Sequence, residues 1–270
     1  MKTDGLHEQR FAVIGVGNIG RILITRLLSV GVPAAHIVVC DADITRGQAA
    51  AAEFDVRAVP LPDEAACTAD LILLSPSPKV VPDLLQSIAA QLHQGQVVVS
   101  FAAMISLARL EAIVPPGVAV VRVMPNAPSL VGAGMNPVVY GKTATTEARE
   151  LVTAVLGILG ETIAVQDEQI NWCVGLSGAA MRSLLPVLEG MTQAGMDAGL
   201  SPGDARQVAA QVMRGTAALA SETDCSFADL KALTPMQTVD ETAVAQLFYQ
   251  AALEAKEKMD AMQQKMEGGS

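Results

Sequence analysis

Three closely spaced glycines follow the first apolar segment of the chain. Residues 11–14 are all apolar, Gly15, Gly17 and Gly20 come next, and apolar residues at helical spacing follow. In a strand–turn–helix unit, the first glycine permits a tight turn, the second lets the backbone approach a pyrophosphate, and the third lets helix and strand pack closely. The free N–H groups of the helix N-terminus face the phosphate charge. The motif predicts a dinucleotide site, the alternative being a glycine-rich turn without a ligand. The residues expected to bind are Gly15, Gly17, Asn18, Ile19 and Gly20.

An aspartate ends the second predicted strand, at residues 36–40. Asp41 follows the last glycine of the motif by about twenty residues, where an acidic side chain accepts hydrogen bonds from the adenosine ribose of NAD. A carboxylate there repels the 2′-phosphate of NADP. No Lys or Arg directly follows Asp41, although Arg46 lies further on. The pattern favours NAD over NADP, while the alternative role for Asp41 is to serve the turn into the next helix.

Three more predicted strands, at 71–74, 96–101 and 118–124, end near polar or proline-containing turns. The carboxyl ends of parallel strands meet at the edge of the sheet where ligands bind. Asn126 could bind a nicotinamide carboxamide or a substrate there, or serve only its turn. The residues expected to line the cofactor at this edge are Ser75, Pro76, Pro78, Ala102 and Asn126.

Strand and helix signals alternate through the first part of the chain. The further strand candidates are 56–59, 138–140 and 162–165, and the helical segments are 78–92, 106–112 and 145–158. This alternation predicts an α/β fold with a Rossmann-type, doubly wound parallel sheet.

From about residue 167 strand signals stop, and helical segments such as 178–198 and 240–266 follow. We therefore expect a dinucleotide-binding domain at 1–166 and an all-helical dimerisation and substrate domain at 167–270. Helices rich in small residues cannot build a large core alone, so we expect them to pack against a second copy of the chain.

Composition excludes several other functional classes. The chain has 270 residues, of which 51% are apolar and 3% aromatic, and its formal charge of −10 argues against a nucleic-acid partner. The four cysteines share no CxxC spacing, which is typical of reduced thiols, and the three histidines form no metal motif. No apolar run has the length of a membrane span, and the polar first ten residues do not form a signal peptide. We therefore expect a cytoplasmic protein without a metal.

Motifs along nearly the whole chain resemble the Δ1-pyrroline-5-carboxylate reductases. The segment 122–134, RVMPNAPSLVGAG, is similar to the family's RVMPNTP…G segment. Leu-Ser-Gly at 176–178 is similar to a second family signature, and residues 229–238 lie where the family has its SPGGTT loop. The resemblance implies NAD(P)H-dependent reduction of pyrroline-5-carboxylate to proline. It also implies a homodimer or larger oligomer with interlocking helical domains, whose active site lies between the cofactor domain and helices of the dimer.

The chain departs from the family pattern around the expected pocket. Met236 and Gln237 replace the Gly-Gly pair that holds the substrate carboxylate, and Met104 replaces a glycine. Ala42 stands where NADP-using members often have Arg, in agreement with NAD. Two alternatives stay open: reduction of a different imine or imino acid, and a cofactor-binding paralogue without catalytic activity.

Hydride transfer to a C=N bond requires positioning more than side-chain chemistry. By the resemblance, Thr238 contacts the imine nitrogen or carboxylate and Ser177 supports it, although either residue could instead cap a helix. Arg182 lies early on the helix after Ser177, where its guanidinium could bind the substrate carboxylate or point to solvent. The candidate substrate-binding residues are Ser177, Arg182, Met236, Gln237 and Thr238.

A β-hydroxyacid dehydrogenase would share a cofactor domain followed by helices. That chemistry uses a Lys on the first long helix of the second domain. No Lys occurs between Lys142 and Lys231, which argues against this class.

Overall fold

A computed structural model describes residues 5–267. The chain forms two compact units. The first extends to Gly178 and resumes at Glu254, and the second comprises Ala179–Leu253. None of the helices within the described range has both the length and the apolar character needed to cross a membrane.

The first unit contains a sheet of seven strands. The strands of the chain are β1 (Phe11–Ile14), β2 (Ile37–Cys40), β3 (Arg57–Ala58), β4 (Leu71–Leu74), β5 (Val97–Ser100), β6 (Ala119–Val123), β7 (Gly134–Met135), β8 (Val138–Tyr140) and β9 (Gly160–Glu161). The order in the large sheet is β3-β2-β1-β4-β5-β6-β8, and every neighbouring pair is parallel except β6 and β8. β7 and β9 form a separate parallel pair. The expected doubly wound parallel sheet is confirmed.

Helices cover both faces of this sheet. After β9, the described part of the chain contains helices and no further strand. They are α1 (Asn18–Ser29), α2 (Ile44–Phe54), α3 (Pro62–Ala66), α4 (Val81–Ile88), α5 (Leu107–Glu111), α6 (Thr146–Leu159), α7 (Ile170–Cys173), α8 (Ala180–Asp197), α9 (Pro202–Glu222), α10 (Phe227–Ala232) and α11 (Glu241–Glu267). A π-helical segment, Val174–Ala179, joins α7 to α8.

The central strands are apolar at every position because both of their faces are buried. In β1, Phe11 and Val13 pack in one hydrophobic cluster, whereas Ala12 and Ile14 pack in another on the opposite face. Alternate residues of a strand point to opposite faces, so a strand covered on both sides needs a continuous apolar run.

The strand expected at 162–165 is wrong in extent. Only Ala164 makes an isolated bridge, to Val138, and regular pairing occurs earlier, between β7 and β9. The two strands approach so closely that a Cβ at Gly160 would collide with the Gly134 backbone, and a Cβ at Gly134 would collide with the Ser129 hydroxyl and the Leu159 carbonyl oxygen. Pairing starts where the glycines permit this approach.

The second unit is built around the contact of α8 with α9. Ala205 and Ala209 are buried, and a Cβ at Gly195 would lie 2.9 Å from the Cβ of Ala205. Larger apolar side chains of these helices, including Leu185 and Val212, are exposed.

The compact units divide further along the chain than the expected domain boundary at 166. Ile170 is fully buried in a cluster with Met124 and Val139, and Asp167 forms an ion pair with Arg122 of β6. These contacts join the first helical residues to the sheet. The functional division at 166 stays a prediction.

Candidate functional site

The glycine loop after β1 lies directly against the turn after β4. Gly15 has a φ of +94°, and a Cβ there would lie 2.6 Å from the Pro76 backbone nitrogen. The Ser75 hydroxyl donates to the Gly15 carbonyl oxygen at 2.7 Å. Only glycine satisfies both the left-handed backbone and this close approach. The structure thus brings Gly15, Ser75 and Pro76 together, as the sequence predicts.

The other two glycines of the motif have different surroundings. Gly17 is the N-cap residue of α1, and a Cβ there would meet no atom within 4 Å. A Cβ at Gly20 would instead collide with the Gly15 carbonyl oxygen. The space beside Gly17 faces the first N–H groups of α1, from Asn18 and Ile19 onwards, which have no partner within the helix. This open, positively polarised surface fits a pyrophosphate.

The carboxylate of Asp41 fixes the glycine loop to the end of β2. Its Oδ2 accepts from the Val16 N–H at 2.8 Å, and its Oδ1 accepts from the Asp43 N–H at 2.9 Å. The Arg46 Nε lies 3.6 Å from Oδ1. The role in the turn and the role towards a ribose are compatible, because a carboxylate has about four acceptor positions and the two N–H groups use two of them.

The loop after β6 holds the Asn126 side chain by a hydrogen bond and contains a buried polar pair. The Asn126 Oδ1 accepts from the Met135 N–H at 3.1 Å, and the Ser129 hydroxyl donates to Asn136 Oδ1 at 2.9 Å. Ser129 and Asn136 are fully buried. The Asn126 Oδ1 is therefore committed to the loop, which leaves its amide N–H groups for a ligand.

The remaining candidates for cofactor contact lie on the turns after β4 and β5. Pro78 begins a 3₁₀ turn, Pro78–Val80, and Ala102 is buried with its N–H 3.4 Å from the Ser100 hydroxyl. All candidate cofactor-binding residues thus belong to the first unit.

Ser177 lies in the π-helical segment at the end of the first unit. Its side chain is buried, and its hydroxyl donates to the Cys173 carbonyl oxygen at 2.6 Å. π-Helical turns often occur at functional sites because they break the regular helical ladder. Since its proton is engaged, the Ser177 oxygen can accept a hydrogen bond but cannot also donate one.

The other candidate substrate residues belong to the second unit. Met236, Gln237 and Thr238 form an exposed segment after α10, in which Gln237 Nε2 donates to the Val239 carbonyl oxygen at 3.3 Å. Arg182 is exposed on α8 and forms no ion pair with any described residue. The structure does not bring Arg182 or Thr238 together with the cofactor loop inside one unit.

A buried ion pair behind the site was missed from the sequence. The Arg122 side chain is fully buried, its Nη1 donates to Asp167 Oδ1, and Asp167 Oδ2 accepts from the Leu107 N–H at 2.9 Å. Nη2 of Arg122 has no partner within residues 5–267. The only sequence signal is a charged residue inside an otherwise apolar strand.

Two thiols lie near the site, the buried Cys40 and the half-buried Cys173. Burial, with a further contribution from Asp41, raises the pKa of Cys40 to about 11. Burial also raises the pKa of Cys173. Neither thiol provides a thiolate nucleophile at neutral pH, and the described residues contain no cluster of metal-ligating side chains.

Comparison with known proteins identifies the family. Residues 10–104 match the family model described as NADP oxidoreductase coenzyme F420-dependent, and residues 167–262 match pyrroline-5-carboxylate reductase dimerisation. The pyrroline-5-carboxylate reductase of Corynebacterium melassecola is 31% identical over 253 residues, which cover 89% of this chain and 94% of the relative. This chain belongs to the pyrroline-5-carboxylate reductase family.

A second relative agrees with this assignment in sequence, and a solved structure agrees with it in fold. The pyrroline-5-carboxylate reductase of Pseudomonas aeruginosa is 32% identical over 223 residues, or 82% of each chain. The Plasmodium falciparum pyrroline carboxylate reductase structure with NADP bound has a TM-score of 0.80 at 19% identity, covering 96% of this chain and all of that one. Residues 167–262 match the dimerisation region of the family, which supports self-association of this chain.

Proposed function

We propose that the protein reduces the C=N bond of pyrroline-5-carboxylate to give proline, using NAD(P)H. The observation that carries this proposal is the similarity to a named reductase across 94% of the relative's length. When bound, the reduced nicotinamide supplies a hydride to the imine carbon, and the ring nitrogen, carrying one proton, becomes the secondary amine.

The glycine loop, α1 and Asp41 would hold the dinucleotide, because Gly17 leaves open space at an uncapped helix N-terminus. Asn126 would offer its free amide N–H groups to the nicotinamide or substrate. Ser177 would accept a hydrogen bond from the protonated imine nitrogen. The proposed set contains no histidine or thiolate, which agrees with a reaction that depends on position.

The test is oxidation of NADH in the presence of a panel of imines. The panel contains pyrroline-5-carboxylate, pyrroline-2-carboxylate, piperideine carboxylates and uncharged cyclic imines. The proposal expects the highest kcat/KM with pyrroline-5-carboxylate. Preference for another member would favour the alternative imine reductase, which the replacement of the family's Gly-Gly pair by Met236 and Gln237 supports. NADH binding without turnover of any imine would indicate a paralogue without catalytic activity.

NADH is expected to be preferred to NADPH. Asp41 and Asp43 both lie at the end of β2, and Arg46 is held between them at 3.6 and 3.5 Å. A 2′-phosphate would have to displace Arg46 from these carboxylates and also approach Asp41. We expect kcat/KM to be at least about tenfold higher with NADH, the factor that corresponds to one charged contact.

Two variants separate the contributions to cofactor preference. Asp41→Ala should reduce the ratio of kcat/KM for NADH to kcat/KM for NADPH. It should also lower both kcat/KM values, because it releases the Val16 N–H. Arg46→Ala should leave kcat/KM for NADH unchanged. Equal or better turnover with NADPH in the wild type would contradict the proposed preference.

Arg182→Met is expected to lower kcat/KM selectively for imines that carry a carboxylate. Arg182 is exposed and unpaired within the described residues, so its guanidinium is available for two charge-assisted hydrogen bonds to a carboxylate. Loss of a contact to a charged group costs about 1.5–3 kcal/mol, hence at least about tenfold in kcat/KM.

The matched control for Arg182 is Arg206→Met, which removes another exposed arginine of the second unit. It should leave kcat/KM for every imine unchanged. An Arg182→Met enzyme with wild-type kinetics on its best carboxylated imine would show that Arg182 does not bind the substrate.

A further inference from the structure

Met104 has a backbone conformation that L-amino acids rarely adopt. Its φ is +70°, and the one other non-glycine residue with positive φ among residues 5–267 is Asp55, at +53°. Asp55 is the C-cap residue of α2, a position where the left-handed conformation is ordinary. Met104 caps no helix, since it lies in the turn between β5 and α5.

The structure on both sides holds this turn in place. The Phe101 N–H donates to the Leu74 carbonyl oxygen at 2.8 Å, and the Leu107 N–H donates to Asp167 Oδ2 at 2.9 Å. Ile105, next to Met104, is fully buried. Unfavourable backbone conformations persist where the surroundings fix them in this way, and they concentrate at functional sites.

The turn joins the two parts of the proposed site that the first unit contains. Ala102 precedes it at the carboxyl end of β5, where the cofactor is expected. Ala103 packs against the cluster that includes Met124 and Ile170, and Val174 packs on the same cluster. Val174 begins the π-helical segment that carries Ser177. Met104, which is half-buried, directly follows Ala102 and Ala103 in this turn.

We propose that Met104 is a specificity-determining residue, whose side chain limits the size of the imine ring that fits at the carboxyl edge of the sheet. This inference rests on the proposed imine reduction. Glycine would suit the backbone better, so a methionine here is explained by what its side chain does. A thioether chain is apolar and adaptable, and it would pack against the methylene groups of a small ring while excluding a larger one.

The experiment compares Met104→Gly with Met104→Ala, because both remove the side chain but only glycine relieves the backbone. For each enzyme, kcat/KM is measured with pyrroline-5-carboxylate and with its six-membered homologue, Δ1-piperideine-6-carboxylate. Both variants should raise the ratio of kcat/KM for the six-membered substrate to kcat/KM for the five-membered one by at least about tenfold, the lower end of the effect of one methylene group in an apolar pocket. The glycine variant should also melt about 2–4 °C above the alanine variant.

Asp55→Gly is the matched control, because it relieves the second positive φ at a helix end away from the turn. It should leave the substrate ratio unchanged. An unchanged ratio in both Met104 variants, with a wild type active on pyrroline-5-carboxylate, would overturn the role of Met104 and leave the proposed function standing. A wild type that reduces no carboxylated imine would overturn the proposed function, and the role of Met104 with it.

Discussion

Gly17→Val is expected to weaken dinucleotide binding strongly while leaving the unliganded protein folded. A Cβ at Gly17 meets nothing within 4 Å, and the φ of −70° is accessible to valine, so the new side chain causes no clash in the free protein. The same side chain would fill the space that a pyrophosphate needs beside the N-terminus of α1. Loss of two or more charge-assisted hydrogen bonds should lower the affinity for NADH by at least about a hundredfold.

The measurement is a fluorescence titration with NADH, together with thermal unfolding of the free enzyme. Gly20→Ala provides the contrast, because its Cβ would collide with the Gly15 carbonyl oxygen. That variant should lose thermal stability as well as NADH affinity. A Gly17→Val protein that binds NADH like the wild type would show that the loop does not hold the cofactor.

Asp167→Ala is expected to cost about 3–5 kcal/mol of unfolding free energy, the usual result of removing one partner of a buried ion pair. Arg122 is fully buried, and Nη2 already lacks a partner among the described residues. Without Asp167, the whole guanidinium charge would be buried with no compensation. The Leu107 N–H would also lose its acceptor at the start of α5.

Arg122→Met should cost less than Asp167→Ala. The Asp167 side chain is 23% exposed and would keep its bond to the Leu107 N–H, so its charge stays partly hydrated. Urea unfolding at matched protein concentration measures both effects. Lys231→Ala is the control, because it breaks the Lys231–Glu241 ion pair between exposed side chains and should cost less than about 1 kcal/mol. Equal losses for Asp167→Ala and Arg122→Met would contradict this explanation.

The sequence by itself determined the sheet, its order of elements and the position of the glycine loop. Strands such as β1 and β4 are continuous apolar runs because both faces are covered, and this requirement is visible in consecutive residues. The roles of Gly15 and Gly20 are equally local, because a tight turn and a close helix leave no room for a side chain. Short-range geometry therefore made these features predictable.

Only the tertiary structure decided which distant groups meet. Asp41 binds the Val16 N–H 25 residues away, and Arg122 pairs with Asp167 45 residues away. Neither pair can be identified from local spacing, because many polar groups in the sequence could accept a hydrogen bond from the same donor. Only the folded chain places one of them within hydrogen-bond distance.

The same reason explains the two local features that the sequence did not predict. The φ of Met104 is imposed by hydrogen bonds at both ends of its turn, against the preference of the residue itself. The end of the first compact unit at Gly178 depends on how Ile170 packs against Met124 and Val139. In both cases contacts with residues remote in the chain outweigh local preference, and those contacts exist only once the sheet has formed.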